Sequence, residues 1–142
     1  MEQNGLDRFL AAQEWTYPLA YREITQGRKR THWIWYIFPQ LRGLGYSRNS
    51  VKYGIADLAE ARAYLAHPIL SSRLREITEA LLVLDGDDPV RIFGEVDAAK
   101  VRSSMTLFCV ASEGEVLFWE VLRRYYGGEQ DPLTLSLLRG ER

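Results

Sequence analysis

The stretch Gly27-Arg28-Lys29-Arg30-Thr31-His32-Trp33-Ile34-Trp35-Tyr36-Ile37-Phe38-Pro39-Gln40 holds the densest chemistry in this chain. Three cations and a histidine run directly into four aromatic side chains within six residues. Arginine and lysine hold phosphate or carboxylate groups, and indole or phenol rings stack on other flat rings. Together they describe a pocket for a small anionic, nucleotide-like ligand. Arg28 and Lys29 would meet its charge, Trp35 or Tyr36 its ring, and Gln40 the polar edge of that ring. His32 is the candidate general acid or base, imidazole being the side chain that changes charge near neutral pH. The same residues also suit a structural role: cations answer a helix C-terminal dipole, and Trp33, Trp35 and Phe38 would then fill a core. Basic and aromatic residues also mix on single-stranded nucleic-acid platforms. A net charge of −1, from 18 basic and 19 acidic side chains, argues against an extended groove of that kind.

A second candidate is Lys100 with Ser103 and Ser104, three and four residues on and so on one helical face. A desolvated lysine beside a serine can serve as base to nucleophile. Asp97, three residues before Lys100, points instead to an ion pair, and a Ser-Ser step also lets helices approach closely. Gly43-Leu44-Gly45 with Ser47 resembles the opening of a phosphate loop, yet the Walker pattern and the dinucleotide fingerprint are both missing, so no cofactor is expected. Glu60 reads as a cap residue and Asp87-Asp88 as a turn. His32 and His67 lack metal-ligand spacing, and Cys109 is the single cysteine, so neither a metal site nor an intrachain disulfide is expected.

These side chains need a scaffold, and periodicity predicts an all-α one. Asn4 before Leu6, Phe9 and Leu10 suggests a brief opening helix, and Tyr17, Ala20 and Ile24 a further stripe that stops at Gly27. Trp33 to Gln40 is apolar at nearly every position, which leaves strand and buried helix both open. Asp57 with Glu60 resembles a capping box, with Leu58, Ala61 and Leu65 behind it. His67-Pro68 separates that helix from the clearest one, carried by Leu70, Leu74, Ile77, Leu81 and Leu84. Gly86-Asp87-Asp88-Pro89 is a turn. Asp97 opens a helix with Val101, Met105 and Phe108 inward. Ser112 and Glu115 box the start of another through Phe118, Val121, Leu122 and Tyr125, closed by Gly127-Gly128, and Asp131-Pro132 begins a terminal turn. With no sustained period of two, the expectation is a helical bundle or orthogonal array of about six to eight short helices.

The whole chain, 1–142, is expected to form a single domain, long enough to bury a sizeable core. It is 46% hydrophobic, 12% aromatic and 26% charged, which is globular rather than disordered. Of the 18 basic residues 15 are arginine, a bias that codon usage also explains. Met1 to Gly5 is polar with no signal-peptide core, and no apolar run reaches the ~20 residues of a membrane span. A cytoplasmic protein with no membrane partner is expected.

The run from His32 to Gln40 followed by Gly43-Leu44-Gly45-Tyr46-Ser47 resembles the signature of a bacterial family, domain of unknown function 1810, often labelled calpastatin-like. Tyr53-Gly54-Ile55, Glu60 to Leu65, His67-Pro68, Ile92-Phe93-Gly94, Asp97 to Lys100 and Ser103 to Phe108 extend the resemblance over about Leu6 to Gly128. It implies a mainly helical fold and carries no established function. The calpastatin label conflicts with a globular composition, since such inhibitor segments are disordered. A fainter similarity to the NADAR family implies hydrolysis of N-glycosidic bonds in ADP-ribose-type or phosphoribosyl substrates, with Glu60 and Lys100 at the matching catalytic positions and Phe108 alongside. The Glu-His pairing of that family is absent here, where Ala61 follows Glu60. A non-enzymatic interaction domain, with the aromatic run as core, is the remaining alternative.

Overall fold

A computed structural model describes residues 5–140; the Asn4 cap expected at the first helix lies outside them. Nine helices and no strand occur among the described residues: α1 Asp7–Thr25, α2 Ile34–Ile37, α3 Arg48–Tyr53, α4 Leu58–Ala66, α5 Pro68–Val83, α6 Pro89–Phe93, α7 Glu95–Ala111, α8 Val116–Tyr126 and α9 Pro132–Leu138. The all-α expectation holds, with more elements than expected because single turns such as α2 and α6 count as helices. No described helix is long and apolar enough to cross a membrane.

The opening helix and the Tyr17 stripe prove to be one helix, α1, which carries Pro18 within it. Gly27 follows its end with φ +85°, a backbone state that side chains disfavour and that stops the helix. His67 ends α4 and caps α5 with Nδ1, which accepts from the amides of Ile69 and Leu70 at 3.2 and 3.3 Å. Asp57 caps α4 as expected. Tyr64, rather than Leu58 or Leu65, is the fully buried side chain of that helix beside Ala61. Asp88 turns out to cap α6. Ser112 Oγ accepts from the Glu115 amide, yet the Glu115 carboxylate reaches away to Arg75, so only half of the expected box forms.

The core is contiguous, with α7 in its middle against α2, α4, α6, α8 and α9. A chain of ring contacts runs through it from Phe9 to Tyr64, Phe108 and Phe118, with centroids 5.3, 5.3 and 5.9 Å apart. Apolar burial of this kind is the dominant favourable term in folding. Leu70, Leu74, Ile77 and Leu81 face it as their spacing requires, as do Val101, Met105, Phe108, Phe118, Val121, Leu122 and Tyr125.

Charged clips hold the helices around that core. Arg8 pairs with Glu60 at 3.0 Å and also donates to the Gly54 carbonyl. Arg75 meets Glu115 through two nitrogens at 2.8 and 2.9 Å. Arg124 donates to the carbonyls of Leu82, Leu84 and Gly86, satisfying acceptors that the end of α5 leaves open.

Candidate functional site

The ambiguous stretch from Trp33 to Gln40 resolves into one helical turn, Ile34–Ile37, with irregular chain on both sides. Glu23 fixes its entry. This carboxylate, 4% exposed on α1, accepts from the amides of Arg30 and Thr31 at 2.8 and 3.1 Å, from Thr31 Oγ1 at 2.8 Å and from Trp33 Nε1 at 2.8 Å. Burial by itself would raise its pKa; the four hydrogen bonds outweigh that and hold it at about 2. Glu23 went unnoticed in the sequence. Its signal was a charge three residues after Ala20, on a stripe that is otherwise apolar.

The exit is fixed by backbone. A single parallel bridge pairs Leu41 with Ile55: the Ile55 amide donates to the Gln40 carbonyl, and the Arg42 amide to the Ile55 carbonyl, both at 2.7 Å. Gly54 allows this approach, because a Cβ there would lie 2.5 Å from the Ser50 carbonyl oxygen and 2.8 Å from Arg42 Cα.

Between these anchors, α2, the 43–47 loop, α7 and the start of α9 enclose a cleft of two adjoining lobes. The first, about 160 Å³, includes Lys29, His32, Trp35, Asn49, Asp97 and Lys100 in its lining. The second, about 410 Å³, includes Trp35, Gln40, Tyr46, Lys100, Ser103 and Asp131. Trp35 and Lys100 are common to both. Asp97, in the first turn of α7 where the helix dipole favours an anion, takes Lys29 Nζ at 2.7 Å and Lys100 Nζ at 3.3 Å. Two ammonium groups thus share one carboxylate, leaving a surplus positive charge beside two indoles. Lys29 Nζ lies 5.1 Å from the Trp33 ring and Lys100 Nζ 5.5 Å from that of Trp35.

Lys29, His32, Trp35, Gln40, Ser47, Lys100 and Ser103 all line this cleft, although they come from four parts of the chain. Both indoles are buried and border the first lobe, Trp33 with its N–H spent on Glu23, and Trp35 alone of the two also borders the second. Three candidates are not brought here. Arg28 is exposed, its amide bonded to the Glu23 carbonyl, and it lines neither lobe but a neighbouring surface depression with Lys29, Arg91 and Gly94. Ser104 is fully buried, on the core side of α7. Glu60 gives one oxygen to Arg8 and the Ala56 amide and the other to Arg8, and is absent from the lining of either lobe. The NADAR-type trio is therefore not assembled: Phe108 is core, Glu60 a clip, and only Lys100 faces the cleft.

Of the two readings of Lys100, the ion pair with Asp97 is the one that forms. Ser103 Oγ donates toward Asp131 Oδ2 at 3.0 Å and the Ala99 carbonyl at 3.2 Å, while Lys100 forms the ion pair with Asp97 that their spacing suggested. Asp131, Asn49 and Tyr46 are cleft residues that sequence reasoning missed. Asp131 had been read only as the opening of a turn, although the same carboxylate that caps α9 also binds Ser103.

Gln40 is the feature the fold does not account for. It is 3% exposed, and its Nε2 has no hydrogen-bond partner among the described residues. Arg8 Nε and Ser104 Oγ share that condition, but neither residue lines the cleft. A buried amide donor left empty costs about 1–3 kcal/mol.

A family model described as "Protein of unknown function (DUF1810)" matches residues 3–138. Among solved structures, that of the conserved hypothetical protein Rv1873 from Mycobacterium tuberculosis is similar. It has a TM-score of 0.92 and 46% sequence identity, covering 94% of this chain and 96% of that one. No curated protein matches.

Proposed function

This chain belongs to the DUF1810 family, and from the geometry of its own cleft we propose that it binds a small anionic, nucleotide-like ligand there. The observation that carries the reading is Gln40: a buried amide donor without a partner among the described residues, on the wall of a lobe that adjoins the surplus positive charge of Lys29 and Lys100 over Asp97. A ligand acceptor meeting Nε2 removes the desolvation cost, and a phosphate or carboxylate meets the two ammonium groups through charge-assisted bonds. His32, on the rim of the first lobe, is the side chain able to exchange a proton with such a ligand.

Thermal denaturation against a panel of nucleotides, dinucleotides and sugar phosphates tests this reading. A ligand at 100 times its dissociation constant adds about 2.7 kcal/mol of stability, a shift of several degrees for a chain of this size. The shift should vanish in Trp35→Ala and shrink in Gln40→Leu. No stabilisation by any anionic compound at millimolar concentration would remove the proposal.

A further inference from the structure

The two lobes differ chemically, and the difference gives a bound ligand a direction. The first lobe has the surplus ammonium charge of Lys29 and Lys100. The second shares Lys100 but lacks Lys29, and it sets against that one ammonium the carboxylate of Asp131, with apolar walls from Leu44, Tyr46 and Leu133 and the unpartnered amide of Gln40. The hydrogen bonds that carboxylate takes from Ser103 and Thr134 all fall on Oδ2, leaving Oδ1 as a further acceptor. A phosphate in the second lobe would face this anion, whereas a neutral ring would not.

Tyr46 adds an independent observation. It is 96% exposed, so its ring contributes almost nothing to the core, yet it lines the second lobe. It also sits on the irregular segment between the Leu41 bridge and α3. An aromatic ring left in water beside an apolar cavity is a stacking surface without its partner.

We propose that the second lobe is a subsite for a flat heteroaromatic ring, with Tyr46 as its outer wall. The ring stacks on Tyr46, and a ring carbonyl or ring nitrogen accepts from Gln40 Nε2. The phosphate of the same ligand lies in the first lobe against Lys29 and Lys100. This makes the ligand class a nucleoside monophosphate, or a larger molecule containing one, rather than a sugar phosphate or a simple anion. The inference rests on the anionic-ligand reading above and goes further by assigning each lobe its part of the ligand.

Calorimetric titration with the common ribonucleoside 5′-monophosphates, their nucleosides, ribose 5-phosphate and inorganic phosphate separates the two claims. At least one monophosphate should bind tenfold or more tighter than ribose 5-phosphate. Tyr46→Ala should weaken that monophosphate by roughly tenfold, the worth of one base stacked on an aromatic side chain. It should leave ribose 5-phosphate binding and the ligand-free melting temperature unchanged, and Tyr46→Phe should bind as wild type. If ribose 5-phosphate binds as tightly as every nucleotide, or Tyr46→Ala binds nucleotide normally, the ring subsite is wrong and the anion reading stands. If neither phosphates nor nucleosides bind, both fall together.

Discussion

The charged groups around Arg8, Arg75 and Arg124 and those around Lys29 and Lys100 are built from similar residue types and end in opposite conditions. On the framework side, each of these guanidinium groups meets a carboxylate or a set of backbone carbonyls, and the Arg75–Glu115 pair is bidentate. In the cleft, two lysines divide one aspartate, an amide donor has no partner, and a tyrosine stands almost fully in water. The framework pairs its charges locally, with Arg8 Nε and Ser104 Oγ the buried atoms it leaves unpartnered, whereas the cleft leaves charge in surplus and a ring in water. Substitutions in the two regions should therefore differ in sign as well as size, since sites shaped for binding are commonly held at some expense of stability.

The largest effect is expected at Gly54. A methyl group there collides with backbone at Ser50 and Arg42, which cannot swing aside as a side chain would. Gly54→Ala should cost about 3 kcal/mol, the upper part of the usual range for overpacking, read by denaturant midpoint. It should also open the Leu41–Ile55 bridge and displace Gln40, so ligand response should go with it.

Glu23→Gln comes next. A carboxyl held at about 2 against an ordinary 4.5 represents about 3 kcal/mol of folding stability. Its folded pKa is depressed, so that contribution is fully present above pH 4.5 and is lost as pH falls through about 2. Glu60 and Glu115 act in the same direction. At Glu60 burial opposes the effect but the bonds from Arg8 and Ala56 prevail, and at Glu115 the Arg75 hydrogen bonds lead. Acid unfolding followed by circular dichroism should start at higher pH in Glu23→Gln than in wild type, because the variant lacks this contribution at every pH and wild type loses it only as Glu23 takes up its proton. Identical acid midpoints would show that Glu23 does not organise the 28–33 segment.

Arg124→Ala leaves the carbonyls of Leu82, Leu84 and Gly86, at and just past the end of α5, to water and should cost about 1–2 kcal/mol, visible as a lower melting temperature. Gln40→Leu is the smallest change and has the opposite sign. Removing an unpartnered buried amide should raise stability by about 1 kcal/mol, roughly 3–5 °C for a domain of this size, while the response to ligand is reduced. A loss as large as that of Glu23→Gln would abolish the distinction between framework and cleft.

Much of the scaffold could be read from the sequence because helix burial is periodic. Leu70, Leu74, Ile77 and Leu81 announce α5 without reference to anything distant. The cleft was legible where its residues are chemically conspicuous: the Lys29 to Gln40 run and the Asp97–Lys100 step both belong to it. Other features depend on where side chains arrive after packing. Arg28 neighbours Lys29 in sequence and shares a surface depression with it, yet only Lys29 also reaches the cleft. Glu60 resembled a catalytic acid until Arg8, 52 residues away, took both its oxygens. Ser103 and Ser104 differ by one step around α7, enough to put one on the cleft and the other in the core. Tyr46 stood inside the quoted family signature, but only three-dimensional exposure distinguishes a stacking ring from a buried one.

The bridge between Leu41 and Ile55 has a consequence for how much change the 42–54 segment tolerates. Its two hydrogen bonds fix both ends of residues 42–54 to the body of the molecule, while the tip of that segment forms one wall of the ring subsite. Doubling the length of a flexible loop adds only about 0.6 kcal/mol of closure cost. Insertions or exchanges around Tyr46 can therefore accumulate without disturbing the clamp that sets Gln40. The clamp and the tip are thus separable: a change of length beside Tyr46 alters how far the ring reaches over the second lobe, while the position of Gln40 stays with the bridge.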